Sequence, residues 1–448
     1  MRQHRITRRQ LLNGLGGTAL LSFLGKINLL AQAVPPDYKA LVCVFLSGGN
    51  DSHNMVVPLS LAQFNAYKAA RGSLALPDGN GALIQVQTPD GTPFGLNPGL
   101  AALAPFWSQG SLAVMANTGM LVQPVTRPSF LANTVPVPTN LFSHSDQTQQ
   151  MQSGIPSSSG STGWGGRAAD VVQGLNGVST FPTTVSIDGP ALFCKGSVVQ
   201  SAALWPGFNL DASGMSLWPQ AAADARKAGY QQILQFDSGL ELIQVANHVR
   251  QDAIALNAML SGQSAVINTP FPGTTLGSQL QQVAQIIKLR SSTGMSRQVF
   301  FCSLGGFDTH GSQSWQQWDL LRQLSEGLAA FYNATNELGV ADKVTSFTLS
   351  DFGRTLQPSG TGSDHGWGSH HLILGAAVQG GRVHGAFPNL ALSGPDDAGT
   401  RGVLIPSTSV DQYGATLAAW LGVPTTQLQA VFPNLANFAS PTLGFMGA

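Results

Sequence analysis

Residues 39–47, KALVCVFLS, are apolar from Ala40 to Leu46, rich in β-branched side chains, and stop at Gly48-Gly49. A run of that length without polar alternation has both faces covered, so it reads as a buried strand of a parallel sheet. Residues 111–117 (SLAVMAN), 297–304 (RQVFFCSL) and 343–350 (KVTSFTLS) read the same way. Helical periodicity occupies 240–260, 276–289, 315–338 and 412–421. Strands alternating with helices predict an α/β fold with a mostly parallel central sheet. Region 153–275 breaks the pattern. It is rich in Ser, Gly and Pro with short strand-like pieces such as 183–187. It reads as an insertion, an excursion over the sheet edge or a lid, that ends in a returning helix.

The 448 residues suffice for one large α/β domain with insertions. Hydrophobic residues make up 43% and charged residues only 10%, with zero net charge. No basic patch is present to collect phosphate backbones, which argues against nucleic acid as a partner. Glutamate is scarce beside aspartate, a balance that suits turns and ligand loops better than solvated helix faces.

The N-terminus addresses the compartment. Thr7-Arg8-Arg9-Gln10-Leu11-Leu12 is a twin-arginine pattern, followed by an apolar stretch to Leu24 diluted by Gly14, Gly16 and Gly17. Ala31-Gln32-Ala33 offers a small-x-small cleavage site. The expectation is a Tat signal over 1–33, a domain over 34–448, and a periplasmic or secreted protein whose export partner is the Tat translocase. The apolar run is too short and glycine-rich for the roughly 20 residues a spanning helix needs, and no later stretch looks transmembrane. Cys43, Cys194 and Cys302 are odd in number, and two sit in strand-like runs, so buried free thiols are expected.

Three of the strand-like runs end alike, in Gly48-Gly49-Asn50-Asp51, in Gly305-Gly306-Phe307-Asp308-Thr309-His310, and in Ser350-Asp351-Phe352-Gly353-Arg354. Ligand sites in open α/β sheets lie beyond the carboxyl ends of the strands. A short polar loop then leads to SDHGWGSHH, residues 363–371, with three of the nine histidines. Asp51, Asp308, His310, Asp351, His365 and His370 thus form a candidate carboxylate and imidazole cluster. Such donors suit zinc or manganese, with calcium or magnesium as further options, and six ligands allow one or two ions. The bland reading of each aspartate is a turn former or cap, with Asp308 capping a helix that begins near Ser312. His53, His371 and His384 are weaker candidates, and His248 reads as structural. The segment Phe142-Ser143-His144-Ser145-Asp146 adds His144 as a site residue and Ser145 as a nucleophile. Arg354 is placed to hold an anionic substrate oxygen, or else to bridge loops.

The segments TRRQLL, LVCVFLSGGNDSHNMVVP, NTGMLVQPVTRPSF, NLFSHSDQTQQMQSG, GGFDTHGSQ, LSDFGRT, TGSDHGWGSHHLILGAAVQGGRVHG and DQYGATLAAWLG run from residue 7 to residue 422. In combination the chain resembles a bacterial family of twin-arginine-exported proteins of unknown function, held to be related to the alkaline phosphatase and sulfatase superfamily. The resemblance implies an alkaline-phosphatase-like three-layer sandwich with metal ligands at the carboxyl edge of the sheet. Asp51 matches the early metal aspartate. Asp308-Thr309-His310 is similar to a later Asp-x-x-x-His, with a shorter spacing. His370 or His365 fills the place of a late histidine. Two departures stand out: Phe352 occupies the place of a histidine in Asp-His-Gly, and no Ser, Thr or Cys matches the superfamily's nucleophile. The implied function is hydrolysis of a phosphate, sulfate or related ester, in a small molecule or a polymer. The competing expectation is a non-catalytic envelope binding or assembly protein that keeps the fold.

Overall fold

The computed structural model describes residues 37–447, apart from 79–81, 178, 180, 207–214, 237, 238, 242, 245, 248, 249, 252, 253 and 255–265. The expected export signal, His248 and most of the expected helix 240–260 lie outside the described residues.

The described residues form fourteen strands in chain order: β1 Lys39–Leu46, β2 Val56–Pro58, β3 Ile84–Gln87, β4 Pro93–Leu96, β5 Leu112–Gly119, β6 Thr184–Ser186, β7 Ser201–Ala203, β8 Arg297–Leu304, β9 Val344–Ser350, β10 Arg354–Ser359, β11 Gly362–His365, β12 Ser369–Leu374, β13 Arg382–His384 and β14 Thr408–Ser409. The main sheet runs β13-β5-β12-β9-β1-β8-β6-β7, with β14 also on β5. Among the described strands of this sheet, β12 is the one that runs against its neighbours; the other pairings are parallel. The four long apolar runs are its β1, β5, β8 and β9, as expected.

Alternation along β1 explains the layers. Ala40, Val42, Val44 and Leu46 pack with Leu280, Val283, Leu321 and Leu328 from helices Thr275–Lys288 and Gln313–Glu337. Leu41, Cys43 and Phe45 point the other way, against Trp164, Ala168, Tyr413 and Leu417 from helices Trp164–Val172 and Val410–Leu421. A strand with period-two side chains, apolar on both faces, can be satisfied only by helices on both sides. The result is a three-layer α/β sandwich with a mostly parallel central sheet.

The Ser/Gly/Pro-rich region joins this sandwich at its start, where it extends the sheet beyond β8 to the β7 edge. It supplies helix Trp164–Val172 and the strands β6 and β7. Cys43, Cys194 and Cys302 are free and buried. No helix among the described residues is long and apolar enough to cross a membrane.

Register positions the site. Leu46 pairs with Leu304 of β8 and with Ser350 of β9, so the three central strands finish at one level. Their following residues, Gly48 to Asp51, Gly305 to Asp308, and Asp351, therefore share one edge of the sheet.

Candidate metal centre

The turn after β1 requires glycine twice. Gly48 has φ +115° and Gly49 φ +84°. A Cβ on Gly48 would run into the backbone of Phe307 and Asp308, and one on Gly49 into the Phe352 ring. The bare backbone lets the turn touch both neighbouring strand ends, and the Gly48 N–H donates to Oδ1 of Asp351 at 3.0 Å.

Asp351, at the end of β9, is buried, and its Oδ2 lies 2.8 Å from Nδ1 of His144. His144 opens helix His144–Ser153. The helix starts there because Ser143 is extended (φ −93°, ψ 123°) and Asp146 sits in the first turn, where the helix dipole favours an anion. It stops at Gly154 in the left-handed conformation.

The hairpin of β10 and β11 pairs Arg354 directly with His365. A Cβ on Gly362 would meet the backbone of Thr309 and His310, so the hairpin lies against the loop that follows Asp308. His365 is held from behind: its Nδ1 is 2.7 Å from the carbonyl oxygen of Phe142, a residue at φ +73°. A phenylalanine in the left-handed region is strained, and here the strain aims a carbonyl at the imidazole.

These elements converge on one atom. Oδ1 of Asp308 is 2.8 Å from Nη1 of Arg354, 2.9 Å from Nε2 of His310, and 3.4 Å from Nε2 of both His144 and His365. The Nε2 atoms of His310 and His365 are 3.0 Å apart. A carbonyl oxygen only accepts, so the proton of His365 sits on Nδ1 and its Nε2 carries a lone pair. The Asp351 carboxylate likewise accepts a hydrogen bond from the Nδ1–H of His144. Nε2 of His144 is buried and finds no hydrogen-bond partner. Two acceptors 3.4 Å apart, this nitrogen and the Asp308 oxygen, need a positive charge between them, a proton or a metal ion.

The electrostatics agree. The hydrogen bond that His144 donates to Asp351, with the charges of Asp351 and Asp308, outweighs burial and raises the His144 pKa. Burial pushes Asp308 up, but the Arg354 hydrogen bond and the charges of His310, Arg354 and His144 outweigh it, and its carboxyl lies below the ordinary value. Asp308 and His310 are about half exposed, so the cluster opens to solvent.

Among the described residues, two groups have ligand atoms close enough for one ion: His144, Asp308 and His365; and His310, Asp364 and His365. Three imidazoles with a carboxylate, two of them oriented through Nδ1, fit a transition-type divalent ion better than calcium or magnesium, which prefer oxygen.

Not every expected ligand joins. Asp51 is buried beneath the cluster, paired with Arg71 of helix Leu61–Arg71; Gln313 donates to the same carboxylate oxygen, and the His53 N–H to the other at 3.1 Å. With both oxygens spent, its role here is to anchor the turn. His370 faces away: its Nδ1 accepts the Asn117 N–H at 2.9 Å, and its ring packs on Phe387. His53 reaches the Arg354 carbonyl at 3.1 Å, His384 the Gln379 carbonyl at 2.8 Å, and His371 stacks on Tyr413. Arg354 is fully buried, and its donors go to Asp308, the Gly48 carbonyl and Ser363. Four of its five N–H donors are engaged in this way and the side chain is enclosed, so it bridges loops. Ser145 Oγ bonds Ser143 and Asp146 and lies outside the converging nitrogens. Ser312, not Asp308, precedes the long helix. Asp364 and Phe142 were missed. Asp364 was visible within SDHGWGSHH, but the Phe142 contribution is a backbone carbonyl and leaves no trace in residue type.

The profile of a family described as "Protein of unknown function (DUF1501)" matches residues 38–400. No curated protein sequence matches the chain. Among solved structures, the chain is similar to the lipoteichoic acid synthase LtaP from Listeria monocytogenes, at 7% identity and TM-score 0.33, over 90% of this chain and 78% of that one. It is similar to the PsFucS1 sulfatase from Pseudoalteromonas sp. at 9% identity and TM-score 0.36, over 95% and 73%. The C-terminal periplasmic domain of EcEptC from Escherichia coli, in complex with Zn, gives 8% identity and TM-score 0.32, over 76% and 74%. These TM-scores are too low to carry a site or an activity across. The family match spans most of the sequence, and the chain belongs to the DUF1501 family of proteins of unknown function.

Proposed function

We propose that the chain is a metal-dependent hydrolase of phosphate, sulfate or related esters, exported by the Tat pathway and acting as one alkaline-phosphatase-like domain over 34–448. The observation that carries this reading is the meeting of three imidazole Nε2 atoms at one oxygen of Asp308, with the Nε2 of His144 buried and unpartnered. Asp308, His144, His365 and His310 would hold the ion, with Asp364 as a further donor. Asp351 and the Phe142 carbonyl orient the rings, and Arg354 fixes Asp308. Zinc or manganese, when bound, would act as a Lewis acid that polarises an ester oxygen and acidifies water or an alcohol.

A second reading has its own support. Among the described residues no hydroxyl side chain makes a hydrogen bond to the converging nitrogens, and Ser145 bonds its own neighbours. That favours an envelope binding or assembly protein with a bound ion and no turnover.

Elemental mass spectrometry on protein purified without chelators tests the first point. One or two transition-type ions per chain, absent in Asp308→Ala, are expected. No bound metal after reconstitution with zinc and with manganese would sink the hydrolase. Metal with no turnover across phosphate and sulfate esters would favour the second reading.

A further inference from the structure

Beside the metal centre lies a cleft of about 450 Å³, within the range of small-ligand sites (about 300–1,000 Å³). One wall is a single face of helix His144–Ser153: Ser145, Thr148, Gln149 and Gln152 follow at helical spacing i, i+3, i+4, i+7. The other wall is the carboxyl edge of three adjacent strands, with Ser47 just past β1, Ser303 in β8 and Asp188 just past β6. The buried rings of Phe45 and Phe301, 6.1 Å between centroids, line it.

The lining is hydroxyls, amides, aromatic carbon and the aliphatic Pro190, Ala191 and Leu192. It contains no lysine or arginine, and its one charge is Asp188. Asp188 is itself engaged, since its Oδ2 accepts from Ser303 Oγ at 2.5 Å. Gln149 donates its amide to the Gly160 carbonyl at 3.2 Å, which leaves its Oε1 to accept. This chemistry repels anions and does not attract cations strongly. It suits a neutral molecule with hydroxyls around its rim and a C–H face for the rings.

The cleft is joined to the metal centre by the chain itself. Ser145 follows His144, and Ser47 precedes Gly48, whose N–H holds Asp351.

We infer that this cleft binds an uncharged, hydroxyl-rich group, a sugar or polyol. Its link to catalysis rests on the metal-centre reading: it would seat the alcohol portion of the ester while the anionic portion lies at the metal. Binding in the cleft stands or falls separately.

The test is saturation-transfer NMR on the purified protein with methyl α-glucoside, methyl α-galactoside, methyl α-mannoside and glycerol, with metal content measured on the same samples. Transfer to at least one glycoside is expected; comparable transfer to glycerol would mark a polyol site instead. Thr148→Trp fills the cleft and should abolish transfer. Thr148→Val removes one hydroxyl with little change of shape and should weaken binding about 2–10-fold. No transfer to any probe, or transfer unchanged in both variants, overturns the inference. Metal present without transfer would reject the cleft and leave the hydrolase standing. Transfer without metal would reject the hydrolase and keep the cleft.

Discussion

Asp351 Oδ2 stands 2.8 Å from Nδ1 of His144, while Asp351 Oδ1 accepts the Gly48 N–H. One carboxylate thus ties the β1 turn to the imidazole of a helix more than two hundred residues earlier in the chain. An asparagine offers one acceptor where two are needed. Asp351→Asn should keep the fold and weaken metal binding about 10–100-fold, the usual effect of removing the partner behind a ligand histidine. Competition against a chelator of known affinity measures it; unchanged affinity would remove Asp351 from the centre.

Asp51 and Asp308 follow neighbouring strands and look equivalent in sequence, yet they should fail differently. Asp51 is buried with Arg71, so Arg71→Leu leaves a buried charge unpaired, at a cost of about 3–5 kcal/mol. The folded fraction should still hold metal. Asp308 is half exposed, and an asparagine keeps an oxygen to accept from the buried Arg354, so Asp308→Asn should cost less stability than Arg71→Leu while losing metal. Urea unfolding paired with metal analysis of the folded protein separates the two. Metal loss in folded Arg71→Leu would return Asp51 to the ligand set.

What could be read beforehand follows from the range of the forces. The runs at 39–47 and 297–304 needed only local composition to declare themselves as buried strands, and their in-phase register set the shared edge. The histidines past those strands marked where the chemistry lies. The role of each side chain was decided by distant partners. Asp51 went to Arg71 and to Gln313, which is 262 positions away, and nothing near Asp51 announces either. His370 and His371 sit on β12, which runs antiparallel, so a loop-like histidine pair became buried strand residues. Arg354, read either as a substrate contact or as a bridge between loops, is buried at the start of its hairpin and bridges them.

Gly48 has no room for a side chain. Gly48→Ala adds a Cβ at φ +115° against the Asp308 backbone. The conformational strain alone is about 1–3 kcal/mol. The clash must move Asp308, so thermal stability and metal content should fall together. A variant that keeps both would show that the turn has more freedom than its contacts allow.

His371 is buried with neither ring nitrogen hydrogen-bonded, stacked on Tyr413 and next to His370. Burial alone lowers its pKa to about 3. In the unfolded chain it titrates near the ordinary value of about 6.5. Between those values the unfolded state binds the proton and the folded state does not, so acid favours unfolding. The stability it contributes is present above pH ~6.5 and is lost as the pH falls toward 3. Buried His53, at about 4, acts in the same sense. Buried His370 adds to this, while Asp411, raised by burial to about 7, opposes it, so the His371 contribution is read as the stability that metal-free wild type loses from pH 6.5 to 4.5 relative to a variant without it. His371→Leu should reduce that loss by up to about 1.4 kcal/mol per pH unit, one proton's worth. Urea titrations of both proteins at the two pH values give the difference. Equal slopes would mean that His371 finds a proton partner in solution, and that its buried nitrogens are not the acid-sensitive element of β12.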